Sequence, residues 1–281
     1  MGYIGKLLSI IPVILILLIG ATISLSGSGL YVLGTDGNVP SEESTYVDDL
    51  VNWISNAANY GSHHPGIIYS DPSAVKDSIM DAASPPEDPA IVFFVGHGEF
   101  GAVALHRVYL IIDNNNNIVS DNSTYSATVA RRVHFVFLHS CFLGAEIGGF
   151  FTIPSITGPI PYHYGMPQAW LHTTIISPNG YENPDHTGYV FIGWKGPAPF
   201  LSADILGAND TMYRFIGNFF DKLFGYYTLP ASSVNQALDY ASHAVFGEYT
   251  RFDETPLYSG FSLDGMDTSM IVYGDGSYDN W

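Results

Sequence analysis

Two stretches decide the reading: Ala90-Ile91-Val92-Phe93-Phe94-Val95-Gly96-His97-Gly98 and, later in the chain, His134-Phe135-Val136-Phe137-Leu138-His139-Ser140-Cys141. Neither alternates apolar with polar. An unbroken apolar run of this length is expected of a strand buried on both faces, in the middle of a parallel sheet. Tyr189 to Trp194 is a third such run. Working outward, Gly29 to Gly34 and Gly66 to Tyr69 are short strands. Between them Tyr46, Leu50, Val51, Ile54, Ala57 and Ala58 recur at helical spacing, with Ser41 the expected cap. Val75, Ile79, Ala82 and Ala83 mark a short helix stopped at Pro85-Pro86, and Val103 to Ile112 with Ile118-Val119 predict a hairpin. Met212, Phe215, Ile216, Phe219, Phe220 and Leu223 form one apolar helical face, ended by Gly225. Ser232 or Ser233 caps a further helix carrying Val234, Ala237, Leu238 and Ala241, and Ser269 to Tyr273 is the last strand. Repeated strand–helix alternation predicts an α/β fold, a three-layer α/β/α sandwich around a mainly parallel sheet. No low-complexity linker divides it. The expectation is one domain from 29 to 281, with a Pro-, Gly- and aromatic-rich loop insertion at about 142–187.

The chain of 281 residues carries 9 Lys plus Arg against 27 Asp plus Glu, a net charge of −18, with ten His and one Cys. Apolar residues make up 47%, which excludes a disordered chain. So negative a protein repels a nucleic acid, and it has too few bases to displace the polyanion's counterions. One cysteine excludes an intramolecular disulfide and any multi-cysteine metal site. Leu7 to Leu25 is apolar apart from small residues and Pro12, with Lys6 before it and Thr22, Ser24, Ser26, Gly27 and Ser28 at its end. Residues 1–28 are therefore a cleaved signal peptide or a retained membrane anchor, and in either case the rest is translocated, extracellular or at the cell surface. The sequons at Asn122 and Asn209 are compatible with that side.

In open α/β sheets, ligands bind beyond the carboxyl ends of the strands. Two central strands end there in chemically capable residues, one running into Gly96-His97-Gly98 and the other into His139-Ser140-Cys141. If they lie side by side, an imidazole and the only thiol of the protein share one edge. A free cysteine alone is more often core filler, and a single histidine more often structural. Together they fit nucleophilic catalysis, because an imidazole can take the thiol's proton as the sulfur attacks. Gly98, with no side chain to block its N–H, and the N–H of Cys141 are candidate donors to a developing oxyanion.

Competing motifs weigh less. Gly96-His97-Gly98-Glu99-Phe100-Gly101 matches the dinucleotide pattern G-x-G-x-x-G, but that pattern needs a helix at this point and the next stretch is β-like. Asp113 to Asp121 (DNNNNIVSD) lacks the glycine at the sixth position of a calcium loop and has Thr124 at the twelfth, so a hairpin turn is expected there, with a structural calcium ion the lesser alternative. The pair His63-His64 is weak evidence for metal. No other cofactor and no catalytic metal is expected.

The pattern of an apolar strand ending in His-Gly, then an apolar strand ending in x-x-Cys-x-x-Gly, resembles the cysteine peptidases of the caspase, legumain, gingipain and clostripain group. The likeness spans nearly the whole translocated chain and is nearest in pattern to gingipain-type prokaryotic members, through Phe191-Ile192-Gly193-Trp194, Ser233 to Leu238 and Val272-Tyr273-Gly274-Asp275. It implies a caspase-like fold and a thiol protease acting on a polypeptide substrate. His97 would be the acid/base, Cys141 the nucleophile, and the N–H groups of Gly98 and Cys141 the oxyanion hole. Val95 and His139, two residues before each, and the aromatic Trp194 would line the substrate pocket. His139 departs from the caspase pattern, which has Gln there, and leaves open which histidine is the base.

Of the cations, Arg107, Arg131, Arg132, Lys195, Arg214 and Arg251 are not placed by any motif, and the acidic field favours cationic substrates. The expectation leans to cleavage after a basic residue, with Glu99, Glu182 and Asp185 as candidate acidic partners. The alternative function is a catalytically silent caspase-like domain that acts as a surface binding or scaffolding module. Nothing in the sequence sets the oligomeric state.

Overall fold

The computed structural model describes residues 28–103, 106–128, 132–144, 149–152, 159–172, 179–205 and 207–279. The apolar run Leu7 to Leu25 and Arg131 lie outside them. No described helix is long and apolar enough to cross a membrane. In chain order the elements are β1 (Gly29–Gly34), α1 (Ser41–Tyr60), β2 (Ile67–Asp71), α2 (Lys76–Ala83), β3 (Ala90–Val95), β4 (Gly98–Val103), β5 (His106–Ile112), β6 (Ile118–Ser120), α3 (Asp121–Ala127), β7 (Val133–His139), β8 (Gly149–Thr152), β9 (Pro159–His163), α4 (Met166–Leu171), β10 (Val190–Trp194), α5 (Thr211–Phe224), α6 (Val234–Phe246), α7 (Pro256–Ser259), β11 (Phe261–Leu263), β12 (Met266–Thr268) and β13 (Met270–Gly274).

A six-stranded sheet runs in the order β13-β10-β7-β3-β1-β2. β2, β1, β3, β7 and β10 are parallel neighbours, and β13 closes one edge antiparallel to β10. The three apolar runs are the central strands, and every residue of β3 and β10 is buried. Their alternate residues serve two cores. Ile91, Phe93, Val95, Phe135, Phe137, Ile192 and Trp194 pack with α1, α5 and α6 on one face. Val92, Phe94, Val136, Leu138 and Phe191 pack with α2 and α4 on the other. Helices thus cover both faces of a mainly parallel sheet. The chain steps outward from β1 to β2 and then back past β1 to β3. Crossovers of one hand in opposite directions place α1 and α2 on opposite faces, and the ends of β1 and β3 flank a topological switch point.

α5 carries the largest apolar stripe. Phe220 meets Phe93 edge-on at 5.3 Å between ring centres, and Phe219 meets Phe137 at 5.7 Å. Full burial of each such ring contributes about 2 kcal/mol. Ser233 caps α6 through a reciprocal pair with Gln236. Ser41 caps nothing: α1 starts at Ser41 itself, behind Pro40, with no side-chain cap bond.

Two expectations are revised. The segment after His97 is more than a hairpin, since β4, β5 and β6 form a three-stranded antiparallel sheet. A strand, β4, therefore follows Gly96-His97-Gly98, and the dinucleotide reading loses the helix it requires. The 142–187 insertion also contributes to the core: β8 pairs with β9, and α4 buries Met166, Trp170 and Leu171 in the second apolar cluster.

Candidate active site

Val95 and His139 are direct partners across the parallel β3–β7 ladder. The ladder extends one step further, where the Gly96 N–H donates to His139 O at 3.2 Å. Beyond that point the chains part. His97 leads into β4, its carbonyl accepting the Ile112 N–H at 3.1 Å, while Cys141 opens a tight turn. That turn is pinned to the end of β10: Phe142 N–H donates to Gly196 O at 2.8 Å and Gly144 N–H to Trp194 O at 2.9 Å. Phe142 has φ of 62°, a left-handed conformation that costs a bulky residue energy and is held by these bonds.

The glycines flanking His97 are required by close approach. A Cβ on Gly96 would lie 2.0 Å from Thr35 Oγ1, and one on Gly98 would lie 2.4 Å from Ser140 Oγ and 2.5 Å from the Cys141 carbonyl oxygen. The His97 and Cys141 segments are thus in backbone contact. The hydroxyls of Thr35 and Ser140 are buried, and neither finds a hydrogen-bond partner among the described residues.

A cavity of about 230 Å³ opens at this edge. His97, Cys141, Val95 and His139 all line it, with Gly96 beside them. Its far wall is Pro197 to Leu201 with Ala203, and Val39, Glu43, Val47, Leu263 and Asp264 complete it. The wall is fixed at several points. Thr268 Oγ1 donates to Pro197 O at 2.7 Å, and the N–H of Ala198 points at Cys141 Sγ at 3.3 Å. The buried Glu43 carboxyl group accepts the N–H of Leu201 at 2.8 Å and of Ser202 at 3.1 Å, as well as the Ser202 hydroxyl.

His139 is wholly buried, with both ring nitrogens in use. The Trp194 indole N–H can only donate, and it meets Nδ1 at 3.1 Å, so Nδ1 carries no proton. Nε2 then bears the hydrogen and donates to Pro199 O at 3.0 Å. Burial pushes this imidazole down to about 4, with the Pro199 carbonyl acting weakly the other way. His139 stays neutral and clamps the wall, and His97 is the other imidazole lining the cavity. For Cys141, burial pushes the thiol up, and the N–H groups of Ala198 and of Cys141 itself offset this only in part.

Trp194 differs from its expected place. It is fully buried and does not line the cavity, and its indole N–H is turned to Nδ1 of His139. The acids named from the sequence do not line it either. Glu99 is exposed on β4, Glu182 meets the Tyr258 hydroxyl, and Asp185 accepts the N–H and hydroxyl of Thr187. The acids that do line it, Glu43 and Asp264, were missed. Their signals were present, Glu43 in the first turn of the helix after β1 and Asp264-Gly265 as a hairpin turn. Among the described residues no Lys or Arg lines the cavity. Arg132 binds Pro85 O, Arg214 binds Ala244 O and Arg251 pairs with Asp253.

Among the described residues no cluster of three or more His, Cys, Asp or Glu is arranged to hold a metal. Asp113 organises the turn and the start of α2: its carboxyl group accepts the N–H groups of Asn115, Asn117 and Lys76 and the Asn117 amide. Burial would raise its pKa, but these bonds lower it further than burial raises it. Compared with protein-family models and with curated proteins, the chain matches none of them.

Proposed function

We propose that this chain is a cysteine endopeptidase of caspase-like architecture, exported or held at the cell surface by a retained Leu7–Leu25 anchor. The observation that carries the reading is the emergence of His97 and Cys141 from the directly paired Val95 and His139 into one cavity. A peptide carbonyl carbon seated there is attacked by Sγ of Cys141 while His97 takes the thiol proton. Negative charge collects on the carbonyl oxygen, where the N–H groups of Gly98 and Cys141 are the candidate donors. The C–N bond breaks as His97 returns the proton to the leaving amine. Water then cleaves the thioester, again with His97 as base, and restores the thiol. A thiol raised by burial suits proton removal during attack rather than a standing thiolate.

The cavity supports a leaning toward a basic residue before the cleaved bond. Val39, Val95, Pro197, Pro199 and Leu263 offer apolar walls, and exposed Asp264 stands at the rim. A Lys or Arg side chain fits such a lining, with its stem on the hydrocarbon and its head at the carboxyl group.

One observation favours a second reading, a catalytically silent binding or scaffolding domain: Sγ is already engaged by the Ala198 N–H and is raised by burial. A thiol-directed peptidyl probe separates the two. Labelling that is lost in both Cys141→Ala and His97→Ala supports the peptidase. Absence of labelling in the unaltered protein overturns it.

A further inference from the structure

The end of the molecule remote from the cavity carries a surface that this chemistry does not use. α1 runs from Glu43 at the cavity to Tyr60, about 25 Å along its axis at about 1.5 Å per residue, and α5 ends beside it. The two C-termini abut. His63 N–H donates to Phe224 O at 3.0 Å and Ser62 N–H to Gly225 O at 3.2 Å, and a Cβ on Gly61 would lie 2.4 Å from the Phe224 carbonyl oxygen. The same connection then binds Ser28: Ile67 N–H donates to its carbonyl at 3.1 Å and Gly66 N–H to its hydroxyl at 3.3 Å. Ser28, the first described residue, is thus tied to the connection that leaves the end of α1.

Large side chains stand exposed there. Tyr227 is 82% accessible and Tyr60 74%, with the half-buried Tyr226 ring 4.0 Å from that of Tyr227. The two stretches that build this surface, 56–70 and 223–238, contain no Asp, Glu, Lys or Arg, in a chain with 27 acidic residues. A surface meant only for water would be expected to share in that charge. Uncharged, Tyr-rich surface is suited to the boundary between hydrocarbon and water, where the ring is sheltered and the hydroxyl stays wet.

Only Ser26 and Gly27 separate Leu25 from Ser28. Even fully extended, that link spans at most about 10 Å. With Leu7–Leu25 in a bilayer, this end of the fold is held within reach of the headgroups. We propose that Tyr60, Tyr226 and Tyr227 form a lipid-contact face that seats the domain on its membrane, with the cavity turned away from the bilayer. The proposal rests on the retained-anchor part of the reading above. Lys222 at the border of the face donates to Pro230 O at 3.0 Å, and with no cluster of cations the face does not depend on anionic lipid.

The test uses the full chain in a Cys141→Ala background, so that one introduced cysteine carries a nitroxide, at Tyr60→Cys, Tyr227→Cys or, as the reference, exposed Phe200→Cys at the cavity. After reconstitution into phosphatidylcholine vesicles, collision with dissolved oxygen is compared with collision with a water-soluble nickel chelate. Labels at 60 and 227 are expected to be shielded from nickel several-fold relative to 200, with oxygen contact raised. Equal nickel access at all three positions, in a chain that floats with the vesicles, overturns the lipid-contact face and leaves the anchor standing. A chain that does not float overturns both. Spin–spin broadening at 227 assigns the surface to a second copy and also overturns the proposal.

Discussion

The indole N–H of Trp194 lies 3.1 Å from Nδ1 of His139, and this one contact fixes which nitrogen of a buried imidazole carries hydrogen. The remaining N–H reaches Pro199 O at 3.0 Å, so a strand of the sheet and the wall of the cavity are joined through a neutral ring. A second proton would have to sit on Nδ1, facing a group that can only donate. Two consequences follow, one for acid stability and one for the assignment of the base: His139 has no nitrogen left for proton transfer.

The first can be measured. The pKa of His139 is about 4 in the folded chain and near 6.5 when unfolded. Between these values the unfolded state binds more protons, so stability falls as pH drops through that window. Above about 6.5 the effect is absent, and below about 4 it is complete, on the order of 3 kcal/mol. His139→Gln keeps one acceptor for Trp194 and one donor for Pro199 but does not titrate. Urea unfolding at a series of pH values is expected to show a steeper acid loss in the unaltered protein than in the variant. Parallel profiles would remove the tautomer argument.

Cys141 gives the opposite sign. Burial raises its pKa above the ordinary thiol value near 9.0. Alkylation by iodoacetamide, a small reagent that reports free thiolate, should therefore be slow at neutral pH and still climbing beyond pH 9. Ala198→Pro removes the N–H aimed at Sγ and is expected to move the rise further toward alkali. A rate plateau near neutrality would instead indicate a resting thiolate–imidazolium pair.

How far the sequence reaches is clearest at particular residues. β3, β7 and β10 were legible because a strand buried on both faces has no polar face to confuse its period. α5 was legible because its stripe is wide and amphipathic. His97 and Cys141 were legible as the first chemically active residues beyond two such strands. α3, Asp-Asn-Ser-Thr-Tyr-Ser-Ala, has almost no apolar periodicity and is set by the Ser120–Ser123 capping box. α4 is buried on every side, so it shows no amphipathic pattern. Glu43 and Asp264 reach the cavity from distant parts of the chain, and Trp194 is buried with its indole N–H on His139. Local sequence carries no trace of such long-range placement.

Gly98 offers a steric test of the site. Its missing Cβ would fall 2.4 Å from Ser140 Oγ, 2.5 Å from Cys141 O and 3.1 Å from Leu143 Cγ, two of these in a turn with little room to yield. Gly98→Ala is expected to displace the Cys141 turn, abolish probe labelling and cost about 1–3 kcal/mol of stability. Denaturation and labelling, measured together, separate a moved site from a lost fold. Unchanged labelling would mean that the two segments are not so tightly joined.

Glu43 tests the wall. Its two carboxyl oxygens hold the N–H groups of Leu201 and Ser202 from across the cavity. Glu43→Gln replaces one acceptor with a donor facing a donor, and a buried N–H left unmatched costs about 1–3 kcal/mol. A lowered melting temperature is expected, together with slower probe labelling at temperatures where the variant is still folded. Labelling at the original rate in the folded variant would show that the wall position is set without this carboxyl group.

Asp264 decides the residue preference. It sits exposed at the tip of the β11–β12 turn, with φ of 52°, next to Leu263 on the cavity rim. Water and salt screen a carboxylate placed there, so its pairing with a substrate cation is worth up to about 1 kcal/mol, or about fivefold in kcat/KM. Apolar walls contribute to both basic and aliphatic side chains through the stem. Asp264→Asn is therefore expected to lower kcat/KM about fivefold for peptides with Lys or Arg before the cleaved bond. Peptides with Leu at the same position should be left unchanged. Raising ionic strength should erode the difference in the unaltered protein and not in the variant. A preference for Leu over Lys in the unaltered protein would show that the hydrocarbon lining alone selects the substrate. The acid at the rim would then be solvated surface.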